Sequence, residues 1–333
     1  MNTLVDVNII GAGPVGLFAG FYTGQRGLSV RLIDPLPEPG GQLIALYPEK
    51  YVYDVAGFPK VMAKELVHSL RQQTSQFHPE YVLEATAVSL KHQDGHFEVT
   101  TDTGQTYPSR AIIIATGIGA FTPRKLNAPG VAKFEGRGVA YSIKNLSHYR
   151  GKRVLIMGGG DSAADWFMML KDVAASVTLI HRREAFRAHP ATVELMKKAV
   201  AKGEGRILTP YELKELRGDS WVREAVIFQN QTKTEVPLVV DEVVSMLGYI
   251  SRLGPIAEWG LALHNKQIRV GTDMQTSTPG IFACGDVAYY EGKVKLIATG
   301  FGEAAIAANY AAHYVNPELS VTPGHSSDLQ RPL

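Results

Sequence analysis

The chain holds one cysteine, Cys284, and that scarcity excludes a great deal. An intramolecular disulfide, a Cys-x-x-Cys redox pair and any cysteine-rich metal or iron–sulfur site are all ruled out. Cys284 sits in the apolar run Ile281-Phe-Ala-Cys, which reads as a buried and inert thiol. Long hydrophobic runs are also missing: no stretch approaches the ~20 apolar residues needed to span a membrane. A secretory leader is not expected, because Asp6 and Asn8 interrupt the apolar start and glycines follow it, so the expected address is cytoplasmic. Charge of one sign is scarce too, with 34 Lys and Arg against 32 Asp and Glu. Without a dense basic block, neither nucleic acid nor a membrane is an expected partner. The remaining composition is that of an ordinary globular protein, and 333 residues are too many for one core. Two domains are expected.

What is present begins with Gly11-Ala-Gly-Pro-Val-Gly16. Val5 to Ile10 ahead of it is β-branched and apolar, as a buried parallel strand should be. Pro14 to Arg26 behind it reads as a helix, with proline in the first turn and Gly27 as a stop. In such a strand–turn–helix unit, Gly11 permits the tight turn and Gly13 lets the backbone approach a pyrophosphate. Gly16 lets the helix pack against the strand. The helix start offers free N–H groups to phosphates. The second strand, expected over 29–33, ends in Asp34, 23 residues after Gly11 (34 less 11), where an acidic residue holds a ribose hydroxyl.

Gly40-Gly41-Gln42 then combines close backbone approach with an amide that a flavin ring could use. Tyr47 follows in an aromatic-rich stretch, where a ligand contact and a core aromatic stand about even. A helix is expected over 61–73 and strands over 82–88, 96–101 and 107–117. Residues 118–124 read as a crossing linker. From Lys152 the opening pattern returns: a strand over 153–157, the turn Gly158-Gly-Gly-Asp-Ser-Ala163, a helix over 165–170 and a strand over 176–180. Gly158, Gly160, Asp161 and Ser162 are the candidate binding residues of this turn. His181 follows Gly158 by the same 23 residues, which marks an internal repeat.

The ends of the two second strands differ in charge. Asp34 would accept hydrogen bonds from a 2′-hydroxyl and repel a 2′-phosphate. His181, Arg182, Arg183 and Arg187 would do the opposite, since guanidinium forks match phosphate oxygens in pairs. The first site therefore suits FAD, or NAD as a second choice, and the second suits NADPH. Further on, a strand region is expected over 235–247 and a return linker over 248–254. Gly280 to Asp286 reads as an apolar strand whose terminal acid could bind the polyol chain of a flavin. A helix is expected over 302–313, and the composition of 316–333 alone suggests disorder.

Several segments carry a resemblance over essentially the whole chain: GAGPVGLF at 11–18, GGQLIALYPEKYVYDVAGFPK at 40–60, GGGDSAADW at 158–166, HRREAFRAH at 181–189, YEGKVKLIATGFGEA at 290–304 and GHSSD at 324–328. With these the chain resembles the thioredoxin-reductase-like class of ferredoxin–NADP reductase. The stretches 40–60 and 290–304 are the more specific to that class. The resemblance implies FAD contacts from Asp34, Gln42, Tyr47, Ala87, Phe121, Asp286 and one of Ser326 or Ser327. It also implies a homodimer and a tail ordered against the flavin; on that basis the rings of Tyr47 and His325 are expected on opposite faces of the flavin. Two positions depart from the pattern: Cys284 stands where alanine is usual, and Asp34 where many relatives have glutamate. Thioredoxin reductase itself needs a Cys-x-x-Cys before the second turn, and residues 138–145 have none.

The expected fold is α/β, with two Rossmann-like three-layer nucleotide-binding domains, the second inserted in the first. An FAD domain over 1–118 and 250–333 would enclose an NADPH domain over 119–249. The expected activity passes electrons between NADPH, as a hydride to the flavin N5, and a ferredoxin or flavodoxin-like one-electron carrier. No side-chain acid, base or nucleophile is expected to be catalytic, and no metal site is expected. The rivals are an NADPH oxidase or diaphorase reducing oxygen or quinones, and a nucleotide-binding redox sensor without turnover.

Overall fold

The computed structural model describes residues 2–93, 95–117 and 119–325, without the side chains of 120–122, 251 and 252. The chain divides into two compact units, Met1–Phe121 with Ser251–Leu333, and Thr122–Ile250.

In the first unit the strand Val5–Ile10 lies at the middle of a mostly parallel sheet. Val30–Ile33 flanks it on one side and Thr106–Ile114 on the other, with Glu80–Val82 beyond Val30–Ile33. Ile281–Ala283 pairs parallel with the end of Thr106–Ile114. Register sets Ile33, Ile10, Ile114 and Ala283 level with one another, so four carboxyl ends open on one edge. In open α/β sheets that edge is where ligands bind. Thr106–Ile114 pairs with three strands, and its two halves differ in sequence accordingly. The first half alternates buried and less buried residues where it pairs antiparallel with His96–Thr101. The second half, Ala111 to Ile114, is buried throughout, as a strand covered on both faces must be. The helices Pro14–Gln25, Ala63–Ser75 and Ile297–Val315 cover one face, over a core that includes Ile9, Leu17, Leu66, Ile113 and Ala308.

Two expectations in this unit are corrected. The strand expected over 82–88 is two, Glu80–Val82 and Ala87–Gln93. The break falls where Glu84 takes φ +55° and the N–H groups of Glu84 and Ala85 donate to the carbonyls of Leu36 and Asp34. The last helix starts at Ile297 rather than 302. Gly300, inside it, is there for contact: a Cβ would lie 2.5 Å from Val15 Cγ2. At the start of the tail, the Arg26 guanidinium donates to the Ser320 carbonyl as well as to Asn309 of the last helix.

The second unit carries a five-stranded parallel sheet in the order Val139–Ala140, Glu242–Ser245, Arg153–Met157, Ser176–Ile180, Arg206–Leu208. The helix after its glycine turn begins at Asp161, four residues before the expected start. The strand region expected over 235–247 is two strands, Glu235–Val239 and Glu242–Ser245. Glu235–Val239 closes an antiparallel meander whose other two strands, Tyr211–Gly218 and Val222–Gln229, had no counterpart in the expectations. The crossing segments Ala120–Pro123 and Tyr249–Arg252 pair with each other as a two-stranded ladder.

Arg153 and Asp241 pin the start of one central strand through a paired contact, Nε to Oδ2 at 2.9 Å and Nη2 to Oδ1 at 2.7 Å. The guanidinium holds the Asp241 carboxyl down at about 2, against an ordinary 3.8. Because the folded value is depressed, this stabilisation is present above the ordinary value and is lost as the pH falls toward 2. Replacing Asp241 with asparagine is expected to cost about 1–2 kcal/mol at pH 7, discounted for solvent screening of the exposed guanidinium. Urea melts should show the gap to wild type closing as the pH approaches 2. A gap of constant size would assign the loss to packing instead.

Candidate nucleotide-binding sites

The first glycine turn lies at the open carboxyl edge of its sheet and is tied down by backbone bonds. Gly11 N–H donates to the Ile33 carbonyl at 2.8 Å, and Gly40 N–H to the Ala12 carbonyl at 2.8 Å. The second turn repeats both, with Gly158 N–H to Ile180 and Arg187 N–H to Gly159, each at a shift of 147 positions. Even the strand-to-strand bond after the turn returns: Ala115 N–H to the Ile10 carbonyl, Met246 N–H to that of Met157. The repeat therefore extends beyond the glycine motif into the loop that folds back over each turn.

The glycines divide into two kinds. Gly11, at φ +107°, and Gly16 are required by the protein itself, since a Cβ would come within 2.5 Å of Ala115 O and 1.9 Å of Gly11 O respectively. Gly13 and Gly160 are not. Both cap their helices in ordinary extended conformations, φ −69° and −102°, which any residue adopts. A Cβ on Gly13 would have one neighbour, at 3.8 Å, and one on Gly160 would have none within 4 Å. At both places glycine leaves space that no part of the described chain fills. That is what a pyrophosphate lying against the backbone at a helix start requires.

What surrounds each turn sets its polarity. Asp34, buried, accepts the Ala12 N–H at 2.6 Å through Oδ2 and the Leu36 N–H at 2.8 Å through Oδ1. Burial pushes its carboxyl up, while those two N–H groups pull it down. The carboxylate is fixed in direction with lone pairs left for a ligand hydroxyl. In the second unit the buried His181 ring lies against Gly159, where a Cβ would meet it at 2.3 Å. Burial first, then the positive charges of Arg182, Arg187 and Arg183, hold this imidazole below its usual range, against a backbone hydrogen bond with Ala185 that raises it. All three arginines are exposed, and none pairs with a carboxylate among the described residues. Asp161 is exposed, with Oδ1 accepting the His189 N–H at 2.8 Å. Ser162 is exposed in the first turn of that helix.

Other expected residues gather at the first turn. A Cβ on Gly41 would lie 2.9 Å from Gly13 Cα, which brings the 40–42 segment onto the turn. Gln42 opens the short helix Gln42–Leu46, and its amide nitrogen would lie 3.6 Å from a Cβ on Gly117. Tyr47 ends that helix half-buried, its hydroxyl pushed up by burial and then by the nearby carboxylates of Asp286 and Asp54. Ala87 is buried at the start of its strand, just beyond the Ala85 bond to Asp34. His325 is exposed. The Phe121 side chain, Ser326 and Ser327 lie outside what is described. Sequence reasoning missed the buried group Tyr290, Lys293 and Glu303 behind Asp286; its signal was ionisable side chains set within an apolar stretch.

A family model of the pyridine nucleotide-disulphide oxidoreductases matches residues 5–308. The chain belongs to this family. Among its relatives, a ferredoxin–NADP reductase of Thermus thermophilus is 58% identical over 98% of both chains. A second, named ferredoxin–NADP reductase 2, from Shouchella clausii, is 50% identical over 98% of both. Among solved structures, thioredoxin reductases of Lactococcus lactis and T. acidophilum are similar at TM-score 0.77, with 26% and 27% identity over 93% of this chain and 99% and 98% of theirs. In this family member the lone thiol is remote from redox use: Cys284 is fully buried, and burial pushes its pKa well up. Among the described residues no group of side chains could hold a metal ion, and no helix is long and apolar enough to cross a membrane.

Proposed function

We propose that the chain is an FAD-dependent ferredoxin–NADP reductase. The observation that carries this reading is the pair of glycine turns of opposite polarity, each keeping open a space its own fold does not need. In the first unit Asp34 would hold the ribose hydroxyls of FAD, Asp286 its polyol, and Gln42 its ring. In the second, Arg182, Arg183 and Arg187 would hold the 2′-phosphate of NADPH. Bound FAD exchanges electrons in pairs with a nicotinamide and singly with an iron–sulfur centre. The chain's own work is to orient the two nucleotides and exclude the wrong coenzyme; the described residues require no acid or base for it. The ferredoxin partner is supported by the names of the Thermus and Shouchella relatives, and by the lack of a dithiol that a disulfide acceptor would need.

We also propose a homodimer that works in the cytoplasm, a reducing compartment that suits one unpaired thiol. Ile306, Tyr310 and Tyr314 recur every four residues on the last helix and are each more than a third exposed, which supports a partner surface there. The rings of Tyr47 and His325 would shield opposite faces of the flavin. Deleting residues from 324 onward is then expected to leave FAD bound while changing its visible spectrum and raising its reactivity with oxygen; an unchanged spectrum and oxygen rate would count against the shielding. For the function itself, anaerobic stopped-flow mixing with NADPH should bleach the flavin absorbance. Binding without bleaching would favour a redox sensor.

A further inference from the structure

Behind the turn that carries Asp286 lies a buried ionic group. Glu303, 3% exposed, stands in the last helix and collects three donors. Its Oε2 accepts the Gly285 N–H at 2.7 Å, and its Oε1 accepts the Tyr290 hydroxyl at 2.8 Å together with the Lys293 ammonium. The Lys293 side chain is only 4% exposed and lies over the Tyr290 ring. Taking two charges out of water costs so much that apolar residues of the same volume often serve the fold as well or better. Stability alone therefore gives this pair little reason to exist.

Its geometry gives another. The one backbone donor that Glu303 holds belongs to Gly285, the neighbour of Asp286. On the other side, Gln267 Nε2 donates to the carbonyls of Asp286 and Ala288 at 2.9 and 3.0 Å. Gly285 sits at φ +78°, and its missing Cβ would meet Val15 at 3.3 Å, at the foot of the first glycine-turn helix. The backbone of Asp286 is thus gripped from both ends. Its own carboxylate accepts no hydrogen bond from the described residues and stands close enough to Tyr47 to push that hydroxyl up. A held backbone with a free carboxylate is a presenting arrangement.

We propose that Glu303, neutralised by Lys293, is a positioning residue for the flavin nucleotide: it fixes the turn that presents Asp286 to the polyol. This rests on the FAD reading above. The test is a double-mutant cycle on FAD affinity, measured by fluorescence titration of apoprotein, with E303Q, D286A and both together. E303Q leaves Lys293 without its charge partner and is expected to weaken FAD binding ~10-fold or more in the wild-type background, yet add little in the D286A background. NADP binding to the second unit should stay as in wild type. If E303Q does not fold, K293M/E303Q removes both charges together and carries the same cycle. Equal losses with and without Asp286, or a lower melting temperature with unchanged FAD affinity, would overturn the proposal in favour of a purely structural pair. A wild-type apoprotein that binds no FAD would overturn the flavin reading itself, and this inference with it.

Discussion

Replacing Arg182 and Arg183 together with alanine is expected to lower kcat/KM for NADPH by ~100-fold or more and leave that for NADH nearly unchanged. Each arginine bound to a phosphate contributes ~1.5–3 kcal/mol as a charge-assisted hydrogen bond, and two such losses give at least that factor. The structure explains why these residues are available. They are exposed and free of carboxylate partners among the described residues, so nothing must be broken to bind a phosphate. His181 beside them is held below its usual pKa by burial and by the same arginines, which leaves the positive charge to the guanidinium groups. Equal losses with both coenzymes would show that the arginines support the loop rather than read the phosphate.

The second large effect is a crossed pair. Gly13→Ala should reduce FAD affinity by ~100-fold while leaving NADP affinity alone, and Gly160→Ala should do the reverse. Neither methyl group clashes with protein, so each variant should fold, with a loss of about 1 kcal/mol or less from replacing a glycine helix cap by alanine. Gly16→Ala serves as the contrast. Its methyl would meet the Gly11 carbonyl at 1.9 Å, and that variant should be unstable with or without a ligand. Apoprotein melts with titrations of both nucleotides separate the cases. If Gly13→Ala bound FAD as wild type does, the space above that turn would not be the pyrophosphate site.

Much of this architecture was legible because its local rules agree. The glycine turns, the β-branched strands ahead of them and the equal spacing to Asp34 and His181 all point to one unit used twice. The structure adds that the repeat runs on to the backbone bonds of Gly40 and Arg187, which no side-chain pattern records. Other parts were hidden by conflicts between local preference and tertiary context. Tyr211-Glu-Leu-Lys-Glu-Leu-Arg is made largely of helix formers, and only antiparallel pairing with Val222–Gln229 makes it a strand. The first turn of the last helix contains Gly300, a poor helix former, which is there so that the helix can approach Val15. The pairing of Glu303 with Lys293 was hidden for a related reason. In sequence they are two charges ten residues apart, and burial alone turns them into a pair.

The central claim is that electrons pass from NADPH through this protein to a one-electron iron–sulfur carrier. Its most direct test is an anaerobic assay of ferredoxin reduction by NADPH and the holoprotein, run beside oxygen and quinone reduction under the same coenzyme concentrations. Ferredoxin reduction should saturate with ferredoxin, outpace both alternatives and fall with the Arg182 and Arg183 variant. Oxygen or quinone reduction that proceeds faster than ferredoxin reduction, with no saturation in ferredoxin, would contradict the claim.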